Sequence, residues 1–301
     1  LVAQADVIVE GFRPGVTERL GLGPAECLAA NPAVVYARMS GWGQDGPAAQ
    51  EPGHDIKYIA LSGYLDAVGT RESGPVLPLN VLGDYAGGGA VLAFGIVSAV
   101  HEARRTGLGQ TIDASILDGA SYLMTKMQGF VSQHRWVEER QSNFLDGAAP
   151  YYRVYATSDG RHMAVGALEQ VFFDELVRVL GLTDVGDREN PLRWPAITEA
   201  FSAAFLRRSQ AEWVEVFTGV DACVSPVLTF TEARTHRQAL ARHSFVQVGD
   251  LVQPAPTPRF SRMPSAVGAA PMRAGEGHRS TLEEWGIAPE LVDALMTGAG
   301  S

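Results

Sequence analysis

Cysteine is nearly absent: the 301 residues contain 2, Cys27 and Cys223, with no second cysteine at metal or redox spacing. The expectation is two buried thiols in a reducing compartment. Positive charge is also short, because 24 Lys and Arg face 34 Asp and Glu, a formal net charge of −10. That balance argues against nucleic acid as a general partner, but leaves room for an anionic ligand held by a few local arginines. No P-loop, His-Glu-x-x-His, Gly-x-Ser-x-Gly or Cys-x-x-Cys occurs, so metal-assisted hydrolysis and serine-esterase chemistry lose their usual support. Long apolar runs are missing as well. The longest, Ala86 to Val100, reads as too short and too rich in glycine to span a bilayer. Neither a signal peptide nor a C-terminal address is evident, so a cytoplasmic location is expected. There is no initiator Met either. The opening Leu-Val-Ala-Gln-Ala-Asp-Val-Ile-Val-Glu reads as the end of a helix running into a strand, and an upstream segment is expected.

What the chain does have is an ordinary hydrophobic content of 46% and 33 glycines, many beside apolar strands. Such glycines suit a backbone that comes close to a ligand. Val7 to Glu10 and Ala33 to Ser40 read as buried strands, each ending in a glycine loop. Helical spacing follows from Asp55 to Leu65 and from Asp84 to about Arg105. Gln110 to Ala114 reads as another strand, and Ser115 to about His134 as a long helix. This alternation predicts an α/β fold with a Rossmann-like parallel sheet, a large domain incomplete at its N-terminus.

Beyond that point the pattern changes. Tyr151–Tyr155 and His162–Gly166 read as a strand pair around Ser158-Asp159-Gly160. Helices are expected at Val171–Leu180, Ala196–Leu206 and Gln210–Phe217, then a strand at Cys223–Leu228. The predicted organisation is a large ligand-binding domain over 1–115, a linking helix and crossover over 116–152, a small α+β domain over 153–245 and a return to the large domain over 246–301. Gln253 to Pro271 should be an extended crossing, and Leu282 to Met296 a closing helix. No internal repeat is visible.

Three stretches carry candidate chemistry. Gly41-Trp42-Gly43-Gln44-Asp45-Gly46 matches G-x-G-x-x-G, but Pro47 and Pro52 prevent the prompt helix that a dinucleotide site needs. In Gly53-His54-Asp55-Ile56-Lys57-Tyr58, His54 lies between a glycine loop and a helix start, where Asp55 reads as the N-cap. Asp84 opens a helix just before Gly87-Gly88-Gly89, and Glu169 follows the strand 162–166. Taken singly, each also fits a bland role: surface histidine, helix cap, solvated strand-end carboxylate. Arg13 and Arg19 flank the first strand-to-helix turn, where anions bind in open α/β sheets. The other six histidines share no ligand or catalytic spacing.

Read together, Ala-Asp-Val-Ile-Val-Glu-Gly-Phe-Arg-Pro-Gly-Val, Gly-Trp-Gly-Gln-Asp-Gly-Pro, Gly-His-Asp-Ile-Lys-Tyr, Leu-Gly-Asp-Tyr-Ala-Gly-Gly-Gly and Leu-Asp-Gly-Ala-Ala-Pro-Tyr-Tyr resemble the α-methylacyl-CoA racemases of the family III CoA-transferase superfamily, the CaiB/BaiF-like proteins. The resemblance runs from Leu1 to about Arg262. It implies a Rossmann-like CoA domain with a small domain, and two chains interlocked as linked rings in a homodimer. It implies that His54 is one catalytic base, that Asp84 is the acid/base on the opposite face, and that Glu169 pairs with His54. CoA contacts are implied at Gly11, Phe12, Arg13 and Arg19, and along Gly53, His54, Asp55, Ile56, Lys57 and Tyr58. Members of the family begin with strand–helix units that would precede Leu1.

The resemblance further implies an isomerase of lipid and fatty acid metabolism. Its reaction would racemise 2-methylacyl-CoA thioesters by two-base proton transfer through an enolate, with backbone amides near Asp84 holding the enolate oxygen. No metal and no separate cofactor are implied, because coenzyme A is part of the substrate; neither membrane nor nucleic acid is an expected partner. The alternatives are a family III CoA-transferase using Asp84 as a nucleophile, a non-catalytic CoA-binding dimeric fragment and, remotely, a nicotinamide oxidoreductase. The presence of His54 and Glu169 favours proton transfer. The acyl group itself is not legible.

Overall fold

The computed structural model describes residues 1–268 and 278–298. They form two compact units, Val2–Pro226 and a second that begins at Val227. This division falls inside the stretch 153–245.

The first unit opens on a three-stranded parallel sheet in the order Val7–Glu10, Val35–Ser40, Thr111–Ser115. Val7 pairs with Val35 and Tyr36 with Thr111. Side chains of a strand alternate between faces, and the central strand shows it. Tyr36 packs with Cys27 and Val34 on one side, beneath the helix Pro24–Ala30. Val35 and Ala37 pack on the other against Ala99, Ala103 and Leu92. Parallel strands need crossovers, and helices on both faces supply them. The strand ends point toward the Gly11 and Gly41 loops, which is where open α/β sheets hold ligands.

The helix that carries Asp84 is longer than the apolar run foretold. It runs Val81–Thr106, 26 residues, and is long and apolar enough by length and composition to cross a membrane. Its stripe of Leu92, Ala99 and Ala103 is buried on the sheet. Over Val81–Ala90 it is wound as a π-helix, and Gly107 ends it in a left-handed turn at φ 77°. A Cβ on Gly119 would lie 1.9 Å from the Gly87 carbonyl oxygen, so the helix Ile116–Leu123 crosses the π-wound segment with backbone against backbone. The long helix expected after Ser115 is divided at Met124 into Ile116–Leu123 and Thr125–Ser132.

Further along the same unit, Tyr152–Ala156, His162–Gly166 and Val224–Pro226 form an antiparallel sheet with the middle segment at its centre. The helices Gln170–Val179, Trp194–Phe205 and Gln210–Phe217 cover it. Their core is aromatic: the Tyr155 and Phe205 rings stack at 5.1 Å, and Phe201, Trp213 and Phe217 fill the remainder. Burial pushes the Tyr155 phenol far above its ordinary pKa, and its hydroxyl donates to the Pro150 carbonyl at 2.6 Å. A capping box, Ser209 with Glu212, starts the last of these helices.

Of the two thiols, Cys27 is buried as expected, but Cys223 is exposed. Cys223 sits at φ 49° in the bend that leads into the edge strand.

In the second unit, Thr229 and Glu232 cap the helix Phe230–Thr235. A hairpin pairs Phe245–Val248 with Leu251–Pro254 around Gly249 at φ 58°. The start of the expected extended crossing is therefore a paired strand, and its end, 269–271, lies outside the described residues. The closing helix is two, His278–Glu284 and Pro289–Gly298, divided at Gly286. Gly286 adopts φ 70°, and Pro289 can start a helix but not continue one.

Candidate active site

At the carboxyl ends of the first two strands, three loops enclose a groove of about 550 Å³. Gly11 to Pro14 form one wall, Gly41 and Trp42 another, and the Gly53–Tyr58 segment the third. Glycine is demanded here by close approach: a Cβ on Gly41 would stand 2.1 Å from the Tyr58 ring, and one on Gly53 2.6 Å from it. Tyr58 in turn meets Trp42 edge-on, with centroids 4.8 Å apart. Trp42 donates from its indole to the Glu51 carbonyl at 3.1 Å. Lys57 lies 5.0 Å from the Trp42 ring and pairs with Glu51 at 2.7 Å. Arg13 makes no ion pair among the described residues.

These contacts explain the G-x-G-x-x-G spacing without a dinucleotide. Gly41 admits Tyr58, while Gly43 and Gly46 each turn at φ 90°. The Gln44 backbone N–H donates to the Asp113 carboxylate, and no helix begins until Asp55. The segment is a loop wall.

His54 is the N-cap of the helix Asp55–Leu61, in extended conformation, and its exposed side chain makes no capping bond. The cap is thus one residue earlier than expected. Asp55 instead faces inward; the residue is 4% exposed, and its carboxylate accepts the Asp84 backbone N–H at 2.8 Å. A helix start leaves several amides without intrahelical partners, and Asp84 is in the first turn of the helix from Val81. One of the amides expected to hold an enolate oxygen is therefore already committed to Asp55. The same bond ties Asp84 to the residue next to His54. Asp84 is half-buried, and Asn80, four residues before it, donates to its carboxylate at 3.3 Å. Burial raises the Tyr58 phenol above its ordinary pKa; the Asp84 charge adds to this, and Arg13 opposes it. Tyr58 thus feels both the groove cation and the helix carboxylate. A π-wound turn at such a place is common at functional sites.

Not every expected residue gathers here. The groove walls include Gly11, Phe12, Arg13, Gly53, His54, Ile56, Lys57 and Tyr58. Asp55 is turned away from them, and Arg19 lies back over Gly15, whose Cβ would stand 3.3 Å from its guanidinium. Glu169 is the exposed N-cap of Gln170–Val179, close enough to Cys223 for its charge to help raise that thiol's pKa, after burial and Asp221. No hydrogen bond or ion pair among the described residues joins Glu169 to His54. Sequence reasoning missed Trp42 and Asn80. Only Asn80 left a signal, its spacing of i, i+4 to Asp84.

A parallel sheet covered by helices, a groove at its carboxyl edge and an attached α+β layer define a mixed α/β protein of the Rossmann-like kind with a second, smaller domain. The profile of CoA-transferase family III matches residues 1–277. The chain is 42% identical over 296 residues to the α-methylacyl-CoA racemase of Mus musculus, covering 97% of this chain and 78% of that protein. It is 40% identical over 300 residues to the α-methylacyl-CoA racemase of Homo sapiens, covering 98% and 78%. In structure it is similar to a CaiB/BaiF family protein from Brucella suis, with a TM-score of 0.80 at 21% identity over 94% of this chain and 76% of that one. The chain belongs to CoA-transferase family III, and it is an enzyme of that family.

Proposed function

We propose that this enzyme is an isomerase that racemises 2-methylacyl-CoA thioesters by moving one proton between the faces of the α-carbon. The observation that carries this reading is the Asp55 carboxylate, which follows His54 in the chain and holds the Asp84 amide at 2.8 Å. It ties the backbone of Asp84 to the residue after His54, and His54 lines a groove that also holds Arg13 and the Lys57–Glu51 pair. Racemisation needs two acid–base groups. In one direction neutral His54 takes the α-proton, the C–H electron pair moves into the thioester carbonyl as an enolate, and protonated Asp84 returns a proton to the opposite face. In the other direction the roles exchange.

The groove takes the coenzyme, with Arg13 and Lys57 meeting its phosphates. Coenzyme A is then part of the substrate, and the mechanism calls for no separate cofactor. Pairing of Glu169 with His54 requires a second copy, in keeping with the interlocked homodimer the resemblance implies. Lipid and fatty acid metabolism in the cytoplasm is the proposed setting.

The alternative, CoA transfer with Asp84 as nucleophile, needs an acceptor acid. Incubating an enantiopure 2-methylacyl-CoA in D₂O without any acceptor separates the two. The proposal expects one deuterium at the α-carbon and loss of optical purity. Coenzyme transfer to an added acid, with no label uptake in its absence, contradicts it.

A further inference from the structure

One buried guanidinium holds both ends of the loop that forms a wall of the groove. Arg38, on the central strand, is 6% exposed. Its Nε donates to Glu10 Oε1 at 2.6 Å, and its Nη1 donates to Glu18 Oε1 at 2.8 Å. Glu10 ends the first strand, and Glu18 lies in the helical turn Val16–Arg19 just after the loop. The second oxygen of Glu10 is also occupied, accepting the Phe12 backbone N–H at 2.7 Å. The loop is therefore fixed before, within and after its turn. A buried carboxylate–guanidinium pair, here Glu10 with Arg38, is a costly way to add stability, since apolar side chains of similar volume usually do as well. What such a cluster does supply is a fixed geometry, here for a loop that presents Phe12, 55% exposed, and Arg13, which has no ion-pair partner among the described residues.

We infer that Glu10 and Arg38 are positioning residues for ligand binding: their buried pair sets the Gly11–Gly15 loop so that Arg13 meets the phosphate-bearing end of coenzyme A. This rests on the proposed use of the groove for a CoA thioester. It extends that reading by assigning a role to two side chains that touch no substrate. Only the phosphate-bearing end of the coenzyme offers an anion for Arg13, and the pantetheine arm offers none. Loosening the loop must then weaken the two ends unequally.

The test is a calorimetric titration of the full chain and its Glu10→Gln variant with coenzyme A and, separately, with pantetheine. Glu10→Gln keeps the shape and removes the charge that Arg38 and the Phe12 amide face. Affinity for coenzyme A should fall about tenfold, the scale of a lost hydrogen bond to a charged group, while affinity for pantetheine stays within about twofold. Unchanged affinity for coenzyme A, or an equal loss for both ligands, overturns the inference. Should Glu10→Gln fail to fold, Glu18→Gln replaces it, because that side chain is 41% exposed. It should give about a threefold loss confined to coenzyme A, and no such selective loss again overturns the inference. A wild-type chain that binds no coenzyme A defeats the reading beneath it. One that binds coenzyme A but exchanges no α-proton removes the racemisation alone and leaves the loop's role standing.

Discussion

Asp55 is the residue on which the site turns, although it faces away from the groove. Replacing it by Ala leaves the Asp84 amide without its acceptor in a buried place, an expected cost of about 1–3 kcal/mol in urea unfolding. Because Asp84 and the His54 helix are then free to shift, kcat should also fall by about a hundredfold. Asp55→Asn keeps an acceptor oxygen and should retain most of both. Glu18 offers a test of charge at the same scale. The hydrogen bond from Arg38, first among several causes, holds its carboxyl below the usual carboxylate range. In the window between the lowered folded pKa and the ordinary value of ~4.3, the unfolded chain binds more protons, so stability rises with pH. The contribution is complete above ~4.3 and is lost as pH falls through the folded value. Melting curves of wild type and Glu18→Gln, recorded across that range, should therefore converge on acidification. A gap that stays constant excludes this role for Glu18.

Among the elements, the π-wound start of the Asp84 helix depends on its neighbour Ile116–Leu123. A Cβ at Gly119 would meet the Gly87 carbonyl oxygen at 1.9 Å, and backbone cannot swing aside as a side chain can. Gly119→Ala should therefore cost about 3 kcal/mol, the upper end of ordinary overpacking, and should lower turnover with stability because Asp84 rides on the displaced turn. Thermal melts and initial rates on the same preparation check both. The elements themselves were largely legible. Val7–Glu10, Val35–Ser40 and the strand pair around Asp159-Gly160 announce themselves by apolar runs ended with glycine. The hairpin around Gly249 was not legible: Pro254, Pro256 and Pro258 beside it read as an unpaired crossing, yet Pro254 only closes an edge strand. The break of the closing helix at Gly286 was hidden by apolar spacing that runs on through it.

For the whole molecule, the family and the α/β class could be read from contiguous motifs, because each motif is local. The contacts that build the site could not. Glu10 reaches Arg38 across 28 residues and Asp55 reaches Asp84 across 29, and nothing in the intervening sequence marks either partner. Glu169 shows the opposite case. The resemblance pairs it with His54, whereas no hydrogen bond or ion pair among the described residues joins them.

The central claim is that His54 and Asp84 serve opposite faces of one carbon. Its most direct test follows deuterium uptake from D₂O into each enantiomer of a 2-methylacyl-CoA, for wild type, His54→Ala and Asp84→Ala. Both variants should lose about 10²–10⁴ in racemisation, the usual worth of a positioned acid–base group. Each should also lose exchange chiefly from a different enantiomer. A variant that racemises at the wild-type rate, or two variants that lose exchange from the same enantiomer alone, would contradict the account.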